Sequence, residues 1–311
     1  VNKLNIASLK DVLGDMTLTN LLIEELDLSQ INFNGNTLTL QCKQLNKIVG
    51  SETFNGSLFL LPKDCRLTEF TLEGISNIQG DFQCIDYFYV KEFVMPFIRV
   101  AGDMTIALNS GSVNTAAEIE FPKLQEIGGT LTLGTNRNAN NITFPLLKKI
   151  LGSCSVTTSN LKNDIEFTNL ESIGTDGADA QIKFEIEATN ILCPKLKTIN
   201  GKFDIATSSF MFDMEVDKVS YPNVESISEN LSITCPYSDF GSNGILSIDF
   251  SGLKSAKGIS ISGQGDVTDF SSFKYLFENN VLTGESQWSV KECGYNPTFQ
   301  EMKDGKYKLA E

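Results

Sequence analysis

Two pairs of carboxylates sit one residue apart in alternating stretches of the chain, Glu118 and Glu120 in "EIEFP" and Asp164 and Glu166 in "DIEFT". A residue and its second neighbour share one face of a strand. Stacked strands lie ~5 Å apart, so such groups fall within the separation of a retaining glycosidase pair. These are, however, the outward slots of strands in a chain with 39 Asp+Glu against 25 Lys+Arg and a net charge of −14, where a solvated face accounts for them without chemistry. There is no His, and only three Arg occur, Arg66, Arg99 and Arg137. The side chains most used for proton transfer near neutrality and for clamping anions are therefore absent or scarce. The expectation is a protein that is not an enzyme, with no catalytic residue and no cofactor.

The remaining reactive types point the same way. The turn "GTDGADA" offers Asp176 and Asp179 as oxygen ligands for calcium, but no second ligand set recurs nearby, and a solvated turn is expected. Seven Cys form neither CxxC pairs nor Cys/His groups, so no metal site is expected. Cys84 and Cys154 fall in inward strand slots and Cys42 and Cys193 in the slot used elsewhere by Phe, which predicts four small buried hydrophobes. Cys65, Cys235 and Cys293 lie off that pattern. Asn55, Asn141 and Asn230 head Asn-x-Ser/Thr triplets, and "GQGDVTDF" is a loop without phosphate-binding spacing. The acidic balance excludes nucleic acid as a partner. Apolar runs such as "FVMPFI" are far shorter than the ~20 residues of a membrane span. The start at Val1, without a basic and apolar leader, fits a cytosolic chain or an exported one whose signal segment has been removed.

The elements that position these residues come from a repeat. "FPKLQEIGGTLTL" from Phe121 recurs as "FPLLKKILGSCSV" from Phe144, "CPKLKTINGKFDI" from Cys193 and "YPNVESISENLSI" from Tyr221. Aligned rows begin at Leu72, Met95, Phe121, Phe144, Phe167, Cys193, Tyr221 and Phe250, with an apolar residue three and six positions later. In the Met95 row these are Ile98 and Ala101. Two weaker rows start at Ile6 and Cys42. Each row carries two alternating segments, such as "EIEFP" and "GTLTL", so two parallel sheets enclosing one core are predicted. Pro after the anchor closes one strand and Gly before the next opens the other. A repeat of this period signals a solenoid. The predicted class is all-β, a parallel β-helix or leucine-rich-repeat-like solenoid of about ten coils with short terminal caps. The solenoid with its N-terminal cap covers residues 1–285, with the clearest repeats at 68–270, and 286–311 form a C-terminal capping tail. "SSFKYLFENN" from Ser271 predicts a short capping helix, and "TFQEM" places Thr298 as an N-cap with Glu301 completing a capping box.

The rows, "FPKLQEIGGTLTL" above all, resemble the receptor L domain, the leucine-rich-repeat-like β-helix of growth-factor receptor ectodomains. They are also similar to rows in fungal cell-wall glycoproteins and in surface lipoproteins of Bacteroidetes. The ending "WSVKECGYNPTFQEMKDGKY" favours the last group. The resemblance implies extracellular binding or adhesion rather than catalysis. It also implies display at the cell surface as an outer-membrane lipoprotein, with the signal segment removed, a lipid anchor outside this chain, and an extracellular protein or glycan as partner. It transfers no contact residue.

Candidate contacts come from row length. Rows after Cys193 and Tyr221 are lengthened by "SSFMFDMEV" and "CPYSDFGSNG", which contribute nothing to the ladder. Phe210, Phe212, Tyr237 and Phe240 are the candidate partner-binding residues, an aromatic surface with an acidic rim. Tyr87, Phe88 and Tyr89 form a second aromatic group. A stripe of outward residues, Thr105, Thr132, Ser155, Asp204, Ser232 and Ser260, marks one sheet face. The rival readings are a carbohydrate-active parallel β-helix enzyme and a purely structural protein of the cell envelope.

Overall fold

The alternation of the rows becomes three lines of short parallel strands, stacked coil on coil around one apolar core. The computed structural model describes residues 4, 6, 8–61, 69–85, 92–107, 117–134, 139–157, 163–177, 179–186, 190–207, 218–235, 247–265 and 267–310. A twelve-stranded long sheet begins with Met16–Thr19 and Thr37–Gln41, continues through strands such as Leu131–Leu133, Cys154–Thr157 and Gly201–Thr207, and ends with Trp288–Cys293. The strands that precede the anchors form a lateral face. Its hydrogen-bonded groups are three strands (Glu25–Asp27 to Thr71–Glu73), five (Glu92–Val94 to Ile191–Leu192) and two (Lys218–Ser220 and Ser247–Asp249).

A third, middle face consists of eight two-residue strands, from Thr53–Phe54 to Ser226–Ile227. The alternation predicts only two sheets, because a two-residue strand is too short to show a period. The class is as expected, an all-β parallel solenoid, but about eight turns are complete rather than ten. Among the described residues, coils at both ends lack the short middle strand.

The register follows the anchors. Ile119, Phe121, Leu131 and Leu133 are fully buried, while Glu120, Thr130 and Thr132 are half-buried. Neighbouring strands only ~4.8 Å away cover the flanks of each outward side chain, which is why these positions are less exposed than a lone strand would leave them. Phe121, Phe144 and Phe167 stack ring on ring at 4.9 and 5.0 Å, nearly parallel, matching the spacing of the coils themselves. Gly128 and Gly201 are needed for close approach, since a Cβ at either would collide with the carbonyl oxygen of Ala101 or Ala180 in the preceding coil.

Three details of the expected register change. Ile48, and not Cys42, pairs with the anchor Leu72, and Phe54 pairs with Ile78, so the second weak row is displaced by six residues. Cys42 is buried, but outside the anchor slot. In the Met95 row the inward residues are Phe97 and Val100, the latter paired with Ile78 and Ile127, while Ile98 and Ala101 turn away. The row is one residue tighter there, and hydrophobicity alone does not distinguish Ile98 from Phe97. Near the N-terminus, where a cap is expected, Met16–Thr19 and Glu25–Asp27 pair as strands of the stack.

At the other end the two short helices form where the sequence places them, while Trp288–Cys293, within the expected capping tail, adds a strand to the long sheet. Ser271–Phe273 and the helix Lys274–Glu278 bury Phe273, Leu276 and Phe277. Trp288 lies against Phe273 and Phe277 at 5.6 and 5.1 Å and donates its indole N–H to the Pro297 carbonyl. Helix Phe299–Lys303 starts at Thr298, whose hydroxyl accepts from the Glu301 N–H while the Glu301 carboxylate accepts from the Thr298 N–H.

Candidate functional site

Side chains at the entrance to the long sheet tie coil to coil. Oxygens of Asp15, Ser57, Asp81, Asp103 and Ser153 accept from the backbone N–H groups of Thr37, Asp81, Asp103, Thr130 and Gln181 in the next coil, at 2.6–3.0 Å. The signal is visible in "GDMTL", "GSLFL", "GDFQC", "GDMTI" and "GSCSV", a small acceptor between Gly and the first inward residue, and the sequence reading missed it. A second ladder occupies the turn before the middle face, where Lys148, Glu171, Lys197, Glu225 and Lys254 follow one another on successive coils with alternating charge. Lys254 reaches Glu225 at 2.7 Å and holds its carboxyl below the ordinary carboxylate range, first by that hydrogen bond and then by its charge. Both ladders are devices of register.

The hydroxyl stripe on the long sheet is in line, Thr105, Thr132 and Ser155 pairing in sequence and Asp204, Ser232, Ser260 and Ser289 continuing it. Lys183, overlooked in the rows, stands between Ser155 and Asp204 and ion-pairs with Glu185 at 2.5 Å, so charge interrupts the stripe. Cys42, Cys84, Cys154 and Cys193 are buried thiols, as expected; burial pushes up the pKa values of Cys42, Cys154 and Cys193. Cys65 lies outside the described residues, as does the side chain of Cys235. Phe210, Phe212, Tyr237 and Phe240, and with them Tyr87, Phe88 and Tyr89, also lie outside the described residues. The coil that leads into the first two candidates is described on both sides of them, and there the wall of the solenoid changes.

Between Ile191–Leu192 and Lys218–Ser220 the lateral sheet is split, although the same coils remain joined in the long and middle sheets. The split is stabilised from inside. In the anchor slot Phe167 is followed by Cys193 and then Tyr221. Cys leaves room, and the Tyr221 ring leans back onto Phe184 and Phe203, at 6.0 and 5.4 Å. Its hydroxyl then donates to the Ile191 carbonyl at 3.1 Å, a carbonyl left without a ladder partner by the split. Burial pushes the phenol pKa well up, with Cys193 and Cys154 adding to it, so the group stays protonated and stays a donor. Cys193 and Tyr221, two of the rows' departures from Phe, thus serve one break in the sheet.

The break opens a crevice of about 150 Å³ lined by Ile186, Asn190, Ile191, Leu192, Lys218, Val219, Ser220 and Tyr221. Ile191, Val219 and Tyr221 belong to the buried core, whereas Leu192 is 36% exposed in an outward slot that holds Glu166 and Thr143 on the two preceding coils. The crevice therefore leads from solvent to apolar side chains. At its rim Asp164 accepts from the Asn190 backbone N–H at 2.7 Å, and Lys218 approaches Asp249 at 3.8 Å.

Upstream of the crevice the lateral face is acidic. Glu69, Glu92 and Glu118 stand in register on successive strands, and Glu120 and Glu166 occupy the neighbouring line two coils apart. The Asn141 amide donates to Glu118 at 2.7 Å. On the middle face Arg99 pairs with Glu126 at 2.9 Å; Glu120 and Glu166 make no ion pair among the described residues. Among the described residues no three Cys, Asp or Glu converge as a metal site would require. No described helix is long and apolar enough to cross a membrane. Neither a protein-family model, nor a curated protein, nor a solved structure matches the chain.

Proposed function

We infer that the chain is a non-catalytic binding or adhesion module, displayed at a cell surface, that recognises an extracellular protein or glycan. The observation that carries this reading is the split of the lateral sheet at a crevice lined by Ile191, Leu192, Val219 and Tyr221. An unbroken ladder satisfies every backbone group, and a break that exposes apolar surface costs stability unless something is gained by it. Here two substitutions in the core slot, Cys193 and Tyr221, support the break. The crevice also lies on one of the lengthened rows, the one carrying Phe210 and Phe212. A stiff stack of coils presenting an irregular site on its wall suits recognition, where preorganisation lowers the cost of binding. The likeness of the rows to receptor L domains and to Bacteroidetes surface lipoproteins supports export and anchoring.

The test is a glycan array and a surface-protein pull-down. They compare the native chain with Leu192→Ser, which strips the lip of the crevice, and with a variant carrying Ala at Phe210, Phe212, Tyr237 and Phe240. Binding lost in Leu192→Ser with an unchanged melting temperature is the expected result. Cleavage of a polysaccharide by the native chain would overturn the non-catalytic reading, and antibody labelling confined to permeabilised cells would overturn surface display.

A further inference from the structure

We propose that the crevice and the acidic line beside it together form a site for an extended, basic peptide segment of a partner protein, laid along the solenoid axis. One aliphatic or aromatic residue of the peptide enters between Leu192 and Val219, and its Lys or Arg side chains meet Glu166 and Glu120. This rests on the binding-module reading and specifies its ligand. The geometry comes from the register: Leu192 pairs with Glu166, Glu166 with Thr143 and Thr143 with Glu120, all in one outward line. With ~4.8 Å between stacked strands, Glu166 stands roughly 5 Å and Glu120 roughly 14 Å from the Leu192 rung. An extended chain advances ~3.3 Å per residue. A base about two residues from the apolar anchor therefore reaches Glu166, and one about four residues from it reaches Glu120.

The chemistry selects a cationic peptide over other ligands. Glu120 and Glu166 make no ion pair among the described residues, so a partner's cations gain Coulomb energy here without displacing an internal ion pair. Among the described lining residues Tyr221 is the one aromatic, and it is buried with its hydroxyl committed to Ile191, so the described lining offers apolar contact rather than a ring to stack on a sugar. The crevice volume of about 150 Å³ suits one side chain rather than a drug-sized ligand. Lys218, on the far wall, is held toward Asp249 and does not oppose bases arriving from the Glu166 side.

The probe is a fluorescein-labelled Gly/Ser peptide set. Each peptide holds one Leu, Ile, Val or Phe, with Lys placed at each of the following six positions singly and in pairs, and Glu replacing Lys in the controls. Fluorescence anisotropy at low and high salt is read against the intact chain and two variants, Glu120→Gln/Glu166→Gln and Leu192→Ser. The expected result is saturable binding that peaks with Lys about two and about four residues from the anchor, and is lost with Glu or at high salt. It should fall by about tenfold in each variant, while melting temperature and circular dichroism are unchanged. Affinity that ignores Lys position, or that is unchanged in Glu120→Gln/Glu166→Gln, overturns the proposal. A glycan panel run alongside separates the two levels: a glycan that binds the native chain and not Leu192→Ser, with no peptide bound, sinks the peptide and keeps the binding module. Binding of neither sinks both.

Discussion

Replacing Tyr221 by Phe should destabilise the solenoid even though Phe is the residue at that slot in four other coils. The ring itself would be tolerated, since Phe121, Phe144, Phe167 and Phe250 are fully buried in equivalent places. What is lost is the hydroxyl that donates to Ile191 at 3.1 Å, in a split where no strand supplies another donor. Leaving a buried carbonyl orphaned costs about 1–3 kcal/mol, and a replacement that merely preserves packing recovers none of it. The partner change, Cys193→Phe, fills the space into which the Tyr221 ring leans and should cost about 1–3 kcal/mol by overpacking. The two act on one device, so their effects should not add; a coupling of at least ~0.5 kcal/mol is expected in the double variant. The assay is equilibrium unfolding in urea for the four proteins of the cycle, with amide exchange followed in the segment that contains Ile191 and Leu192. If Tyr221→Phe changes stability by less than ~0.5 kcal/mol, or if the cycle is additive, then the hydroxyl does not hold the split and Cys193 is not there to admit the ring.

Further expectations concern the ladder, the thiols and acid. Phe121→Ala should cost ~3–5 kcal/mol because it opens a cavity in the ring stack, whereas Thr132→Ala, outward and half-buried, should stay within ~0.5 kcal/mol; paired unfolding curves decide. A thiol reagent should leave Cys84, Cys154 and Cys193 untouched in the native protein and modify them in denaturant, and rapid native labelling mapped to any of the three by mass spectrometry would contradict their inward slots. Hydrogen bonds from Lys254 to Glu225 and from Lys183 to Glu185 hold both carboxyls below their ordinary value of 4.5. Folded values below unfolded ones mean that this stabilisation is complete above pH ~5 and is lost as pH falls through the folded values. The melting temperature should thus drop on acidification below pH 4.5, and the drop should be shallower in Glu225→Gln/Glu185→Gln.

Much of this architecture can be read from side-chain order because the coils repeat. In a parallel stack each inward residue meets its counterpart one row away, so a period of apolar letters is also a list of contacts. Phe121 lies on Phe144 for that reason, and Leu131, Cys154 and Ile182 follow one another across the long sheet. The capping box at Thr298 and Glu301 is legible too, being a matter of four adjacent residues. Where rows weaken, periodicity misleads. Cys42, Leu45 and Ile48 copy the spacing of a row, yet pairing places Ile48 at the anchor, because the register there is set by the next coil, where Leu72 meets Ile48 and Ile78 meets Phe54.

The candidate site belongs to the other category. Cys193 and Tyr221 are visible in the rows as departures from Phe, but a small residue followed by a ring with a hydroxyl has no meaning until the split in the lateral sheet shows which carbonyl needs a donor. The sequence by itself determined the strand alternation, the coil period and the inward faces, since these follow from local spacing and hydrophobicity. Only the tertiary structure decided where consecutive coils part, which outward carboxylates are matched by a cation on the next coil and which are not, and that a crevice opens at Leu192 and Val219. Those outcomes depend on the alignment of residues more than twenty positions apart, which no single row contains.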